Sequence, residues 1–141
     1  MDISNFYELP SNLRACSRLL TKDFDEAIKP SGVTLNQLFM LLYLKENKFY
    51  TIASMARSLY SERTTISRNL QPLLKGGYVV KLKSKDHKLK NYGLTEKGIC
   101  TLKQAVSLFE LNLVSLSDKC KGYNLKDLDI KLREFIKYLT I

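Results

Sequence analysis

The chain has 141 residues, 23 Lys and Arg against 14 Asp and Glu, one His, three Cys, no Trp, 45% hydrophobic residues and a formal net charge of +9. That length fits one core and argues against two, the apolar content argues against disorder, and the longest apolar run, 38–44, falls short of the roughly 18 residues of a spanning helix. Three cysteines without CxxC spacing indicate neither a disulfide framework nor a zinc knuckle, and a single histidine with no P-loop, GxGxxG, HExxH or GxSxG pattern leaves catalytic, metal and cofactor templates unfilled.

At the amino end, MDISNFYELP places Asp2 and Glu8 where a secretory leader has basic and then apolar residues, so a soluble cytoplasmic protein without a membrane partner is expected. A first helix is predicted after Pro10, with Ser11 as cap, Leu13, Cys16, Leu20, Phe24 and Ala27 at helical spacing, and Pro30 and Gly32 closing it. Thr34 with Gln37 three residues on is a capping-box pattern opening an apolar, largely buried helix that runs to about Glu46. Thr51 caps a short helix whose Ile52, Met55, Ala56 and Leu59 share one face. Ser61 is the predicted cap of the next helix, in which Ile66, Leu70, Leu73 and Leu74 form a stripe opposite Thr64, Thr65, Ser67, Arg68 and Gln71. Pro72 cannot donate to the Arg68 carbonyl, which predicts a kink or a tightened end before Gly76-Gly77 stops the helix.

Two strands, 78–83 and 90–94, flank the loop SKDHKL. Thr95 then caps a long helix, with Leu94 and Ile99 placed as a hydrophobic staple. Its seam of Ile99, Leu102, Val106, Phe109, Leu113 and Leu116 lasts until Gly122. A final helix from about Asn124 carries Leu125, Leu128, Leu132, Phe135, Ile136 and Leu139. The fold class expected is mainly α with a small β-hairpin.

The charge is unevenly placed. Residues 1–49 hold six basic and six acidic side chains, 50–99 hold ten against three, and 100–141 hold seven against five. Such asymmetry suits a module that faces a polyanion. A membrane surface would ask for a basic amphipathic helix, whereas KLKSKDHKLK at 81–90 alternates like a strand. A charge run taken alone is equally a solvated surface. Two short helices parted by Tyr60-Ser61 and followed by a basic hairpin are, however, the parts of a winged helix-turn-helix. Short hydrogen-bonding side chains opposite an apolar stripe permit close approach to base edges, and arginines reach phosphates or guanine. The candidate DNA contacts are Thr51, Ser61, Arg63, Thr64, Thr65, Ser67 and Arg68 from the helices, and Lys83, Lys85, Asp86, His87, Lys88 and Lys90 from the hairpin. Which arginine reads a base is left open. The competing class is a winged-helix module for protein contacts; an enzyme is not expected, because no nucleophile has a plausible base.

LNQ at 35–37, TIASMARSLY at 51–60, ERTTISRNLQPL at 62–73, GGYV at 76–79 and LTEKG at 94–98 together resemble the MarR (multiple antibiotic resistance regulator) family of winged-helix transcription factors over almost the whole length. The resemblance implies a homodimer on a palindromic operator and a regulator, a repressor in particular, in one domain spanning 1–141. It places a DNA-binding lobe at 33–96 and dimerisation helices at 8–30 and 97–141. The family's wing carries an Asp-x-Arg motif; the matching residues here are Asp86-His87-Lys88, and lysine lacks the planar fork that suits a narrow minor groove.

Related regulators are released from DNA by small aromatic acids or by cysteine oxidation. For an aromatic effector, Tyr43, Tyr60 and Tyr92 are the candidate lining, against the plainer reading that they are core. For oxidation the candidates are Cys16, between Arg14 and Arg18, and Cys120, between Lys119 and Lys121. A buried structural role is the default for each, with Cys120 expected to be the more exposed. Cys16 stands closer to the second helix than the sensing thiol of peroxide-responsive members, so that function is not carried over.

Overall fold

The computed structural model describes residues 7–47, 50–83 and 90–141. Its elements are α1 (Leu9–Ile28), a 3-10 turn (Lys29–Ser31), α2 (Leu35–Asn47), α3 (Ile52–Ser58), α4 (Arg63–Lys75), β1 (Val79–Leu82), β2 (Asn91–Leu94), α5 (Glu96–Lys119) and α6 (Leu125–Leu139). The chain divides into two units, Met1–Phe109 and Glu110–Ile141.

In the first unit local chemistry sets most boundaries. The Thr34–Gln37 capping box forms in both directions: the Thr34 amide donates to Gln37 Oε1 at 2.9 Å, and the Gln37 amide to Thr34 Oγ1 at 3.3 Å. Thr51 Oγ1 accepts from the Ser54 amide at 3.1 Å to open α3. Two caps fall elsewhere than expected. Ser11 lies inside α1, whose cap position is Glu8 with Pro10 in the first turn, where its missing N–H costs nothing. Ser61 is one residue early; Glu62 is the cap residue of α4 and makes no side-chain cap bond. Helix α4 runs unbroken past Pro72 to Lys75. It ends in a Schellman turn, with the Gly77 amide on the Leu74 carbonyl at 3.1 Å, the Tyr78 amide on the Leu73 carbonyl at 3.0 Å, and Gly77 at φ 76°.

The apolar stripes meet where these turns allow. Ile28, Leu38, Leu41, Leu44, Met55, Leu70 and Leu73 are all at most 1% exposed. Phe24 stacks on Phe109 of α5 at 4.6 Å between centroids. Asp25 Oδ1 accepts from the Leu35 amide at 2.6 Å, fastening α1 to the start of α2. Strand β1 pairs antiparallel with β2 in the register Val79↔Leu94 and Lys81↔Tyr92. Sequence reading leaves out one addition: Tyr50 bridges Tyr92 by two amide-carbonyl bonds of 3.1 Å, extending the pair by a third, single-residue strand.

Ile99 is 40% exposed while Gly98, Leu102 and Ala105 are the buried positions, so the inward face of α5 is rotated from the expected seam at its start. By length and mean hydropathy α5 would suffice to span a membrane. That average hides Lys103, Gln104, Glu110 and Asn112, which interrupt every long apolar run.

The second unit holds the end of α5, a turn at Gly122 (φ 86°) and α6, which Asn124 caps by accepting from the Asp127 amide at 3.0 Å. Asp127 pairs with Lys131 at 2.8 Å, and Asp129 with Arg133, both one turn apart on the helix. No residue of α6 is buried.

Candidate nucleic-acid interface

The candidate surface is assembled from α3, its turn and α4. At the turn the Leu59 amide bonds to the Met55 carbonyl at 2.9 Å and the Ser61 amide to the Ala56 carbonyl at 2.9 Å. Between them Tyr60 adopts φ 51°, a left-handed conformation that a non-glycine residue holds only when its neighbours fix it. With Ile66, Leu70 and Leu73 turned inward, α4 presents Arg63, Thr64, Arg68 and Gln71 as exposed and Thr65 and Ser67 as half-buried side chains. Among the described residues neither the Arg63 nor the Arg68 side chain makes an ion pair or hydrogen bond, so both guanidiniums are available to an anion. Thr51 is placed differently. Its hydroxyl is engaged with the Ser54 amide and the Ser54 hydroxyl, the latter at 2.9 Å, which makes its first role structural.

On the hairpin, Lys83 follows β1 and Lys90 precedes β2, both exposed. Lys85, Asp86, His87 and Lys88 lie outside the described residues. Exposed Lys81 on β1 was not among the candidates, although strand alternation places it on the face of Lys83. Arg57, exposed in the last turn of α3, was likewise passed over. The signal for both is the count of basic residues in 50–99, which marks the segment as cationic without ranking its positions.

The tyrosines do not converge on one cavity. Tyr43 meets Tyr50 edge-on at 5.0 Å and its hydroxyl pairs with that of Ser58 at 3.3 Å. Tyr92 is 4% exposed in β2, and burial pushes its phenol above the ordinary tyrosine range. Tyr60 is apart from both, 70% exposed, lining a cavity of about 250 Å³ with Phe39, Met40, Thr65 and Asn69. The cysteines also depart from expectation: Cys16 and Cys100 are exposed and Cys120 is half-buried. The stripe that carries Cys16 continues along α1 past the core, where Leu19 and Leu20 are 67% and 42% exposed, so a stripe position there does not mean burial. Among the described residues no group of three or more His, Cys, Asp and Glu side chains is placed to hold a metal ion.

No family model matches the chain. An organic hydroperoxide resistance transcriptional regulator of Bacillus subtilis (strain 168) is 28% identical over 128 residues, spanning 90% of this chain and 86% of the relative. The crystal structure of the M. tuberculosis transcriptional regulator MosR in complex with DNA is 26% identical, covers 93% of this chain and 97% of its own, and superposes with a TM-score of 0.76. The fold is also that of an E. coli MarR mutant crystallised with operator DNA, with a TM-score of 0.82 over 96% of this chain and 98% of that one at 17% identity.

Proposed function

We propose that the chain is a winged helix-turn-helix protein of the MarR family and a sequence-specific double-stranded DNA-binding transcriptional regulator, a repressor, that acts in the cytoplasm as a homodimer on a palindromic operator. The observation that carries this is α4: Ile66, Leu70 and Leu73 of its apolar stripe are buried while Arg63, Thr64 and Arg68 stand exposed and uncommitted on the opposite side. In this reading Thr64, Thr65, Ser67 and one arginine meet base edges in the major groove, with Ser61 and the other arginine on phosphate. Lys83, Lys90 and the lysines between them supply backbone attraction beside it. The lobe of 33–96 reads DNA, and the helices of 8–30 and 97–141 join two copies. The protein is a binder and not a catalyst.

Control of release has two candidates of unequal support. Exposed Cys16, together with the likeness to a regulator named for organic hydroperoxide resistance, favours oxidation of that thiol. An aromatic effector has weaker support, because Tyr60 faces a cavity that neither Tyr43 nor Tyr92 lines.

Anisotropy titrations against the chain's own upstream DNA and a scrambled duplex, across salt concentrations, test the function. The log of the binding constant is expected to fall with the log of salt at a slope of about −0.9 per phosphate neutralised, with the upstream site preferred. No duplex binding at low salt would leave a protein-interaction module as the better reading. Adding an organic hydroperoxide is expected to release wild type and spare Cys16→Ser.

A further inference from the structure

The three residues Gly76, Gly77 and Tyr78 are the whole connection between the last residue of α4, Lys75, and the first of β1, Val79. All three of their carbonyl oxygens are held by the first turn of α5 and its cap. Lys97 Nζ donates to the Gly76 carbonyl at 2.7 Å, Thr95 Oγ1 to the Gly77 carbonyl at 2.6 Å, and the Thr95 amide to the Tyr78 carbonyl at 3.1 Å. The same Thr95 hydroxyl oxygen accepts from the Gly98 amide at 3.0 Å, so the cap of α5 and the grip on the joint are one group. The Lys97 ammonium also stands 4.6 Å from the centre of the Tyr78 ring.

Where side chains are missing the fit is equally close. A Cβ on Gly98 would lie 2.1 Å from the Tyr78 carbonyl oxygen, which is backbone and cannot swing aside. A Cβ on Gly76 would lie 2.5 Å from the Tyr78 ring. The approach of α5 to the joint is therefore set by Gly98 and closed by Lys97, while the bare Gly76 leaves room for the Tyr78 ring beside that lysine.

We propose that the first turn of α5 is a clamp that holds the reading helix and the wing in a single pose, with Lys97 and Gly98 as its positioning residues. This rests on the DNA-binding reading, in which α4 and the hairpin must touch one duplex together. Two contact elements on a rigid body bind as one, and slack in their joint forfeits that gain without altering a single DNA-facing side chain. An exposed lysine bonded to a carbonyl contributes little to folding stability, so a role confined to stability would leave Lys97 nearly dispensable.

The test uses the full-length protein as Lys97→Met, Lys97→Arg and Gly98→Ala, each alone and with Lys83→Ala, titrated against operator and scrambled duplex over a range of salt. Lys97→Met is expected to keep its melting midpoint close to wild type, lose roughly tenfold on the operator, and show a salt slope shallower by about 0.9 or more as hairpin phosphate contacts are lost. Lys97→Arg is expected to restore both, and Lys83→Ala to cost less in the Lys97→Met background than in wild type. Gly98→Ala is expected to act in the same direction and more strongly; should it fail to fold, Lys97→Met decides. A wild-type slope and operator affinity in Lys97→Met, or losses that simply add to those of Lys83→Ala, would overturn the clamp while leaving DNA binding intact. A wild type that does not bind duplex would overturn the functional reading and the clamp with it.

Discussion

Helices α4 and α6 are of similar length, 13 and 15 residues, and carry apolar residues at the same helical repeat, but they meet different fates. In α4, Ile66, Leu70 and Leu73 are 3%, 0% and 1% exposed, covered by α2, α3 and β1. In α6, Leu128, Leu132 and Phe135 are each 36% exposed. Periodicity states that a face is to be covered; it does not state by what. The cover of α4 is encoded nearby in the same chain, whereas α6 has an apolar seam, a solvated side of Asp–Lys and Asp–Arg pairs, and no buried residue. A second copy is the cover proposed above, and it makes the two helices respond to different variables.

The largest effect that would break this contrast is expected from Leu132→Asp combined with Phe135→Asp. Light scattering should then report monomer or unfolded chain, with operator affinity down on the order of a hundredfold as the two half-sites stop being bound together. A stable dimer that still binds would assign the α6 seam to something else. Next, Leu70→Ala should cost about 2–5 kcal/mol in denaturant melts at any protein concentration, because it opens a cavity in the lobe itself. Leu132→Ala should instead show a cost that grows on dilution, as linkage to association requires. Arg68→Ala should leave both melts unchanged and lose about 1–3 kcal/mol on the operator if it reads a base. Equal losses on operator and scrambled duplex would make it a phosphate contact.

The smallest effect separates the two units by pH. Burial raises the Tyr92 phenol in the folded lobe, so the unfolded chain ionises first. The stability this lends is complete below the ordinary tyrosine value of about 10 and is lost as pH rises through the higher folded value. Melts should therefore weaken above about pH 10 in wild type and less so in Tyr92→Phe. Identical alkaline profiles would show that another group controls the lobe there.

Much of the lobe was legible because its signals are local. Thr34 with Gln37, Thr51 and Thr95 cap within three residues, and Gly76-Gly77 announces its own turn, so one stretch of sequence contains both partners of each bond. What escaped depends on partners far along the chain. Nothing near Tyr50 says that it will pair with Tyr92. Cys16 looked like core because its stripe is regular, yet the core ends partway along α1. Ser61 was a reasonable cap by type, but Glu62 is still extended and takes the cap position, so the helix starts at Arg63. Of the proposed interface, the exposed faces of α4 followed from its stripe, while the carbonyl grip of Lys97 had no sequence signal, since an exposed lysine advertises no partner.

The Tyr50–Tyr92 bridge also bears on the order of folding. The α3–α4 pair can form from neighbouring segments, whereas the bridge must wait until β2 has been brought back to the link after α2, closing a loop that contains the entire reading module. Loop closure is costly before its contacts can repay it, so the hairpin edge joins late and a chain growing from its amino end has its reading helix before it has a complete wing. In the proposed reading, in which both elements face one duplex, competence to bind is then a property of the last contact made and not of the first helix formed.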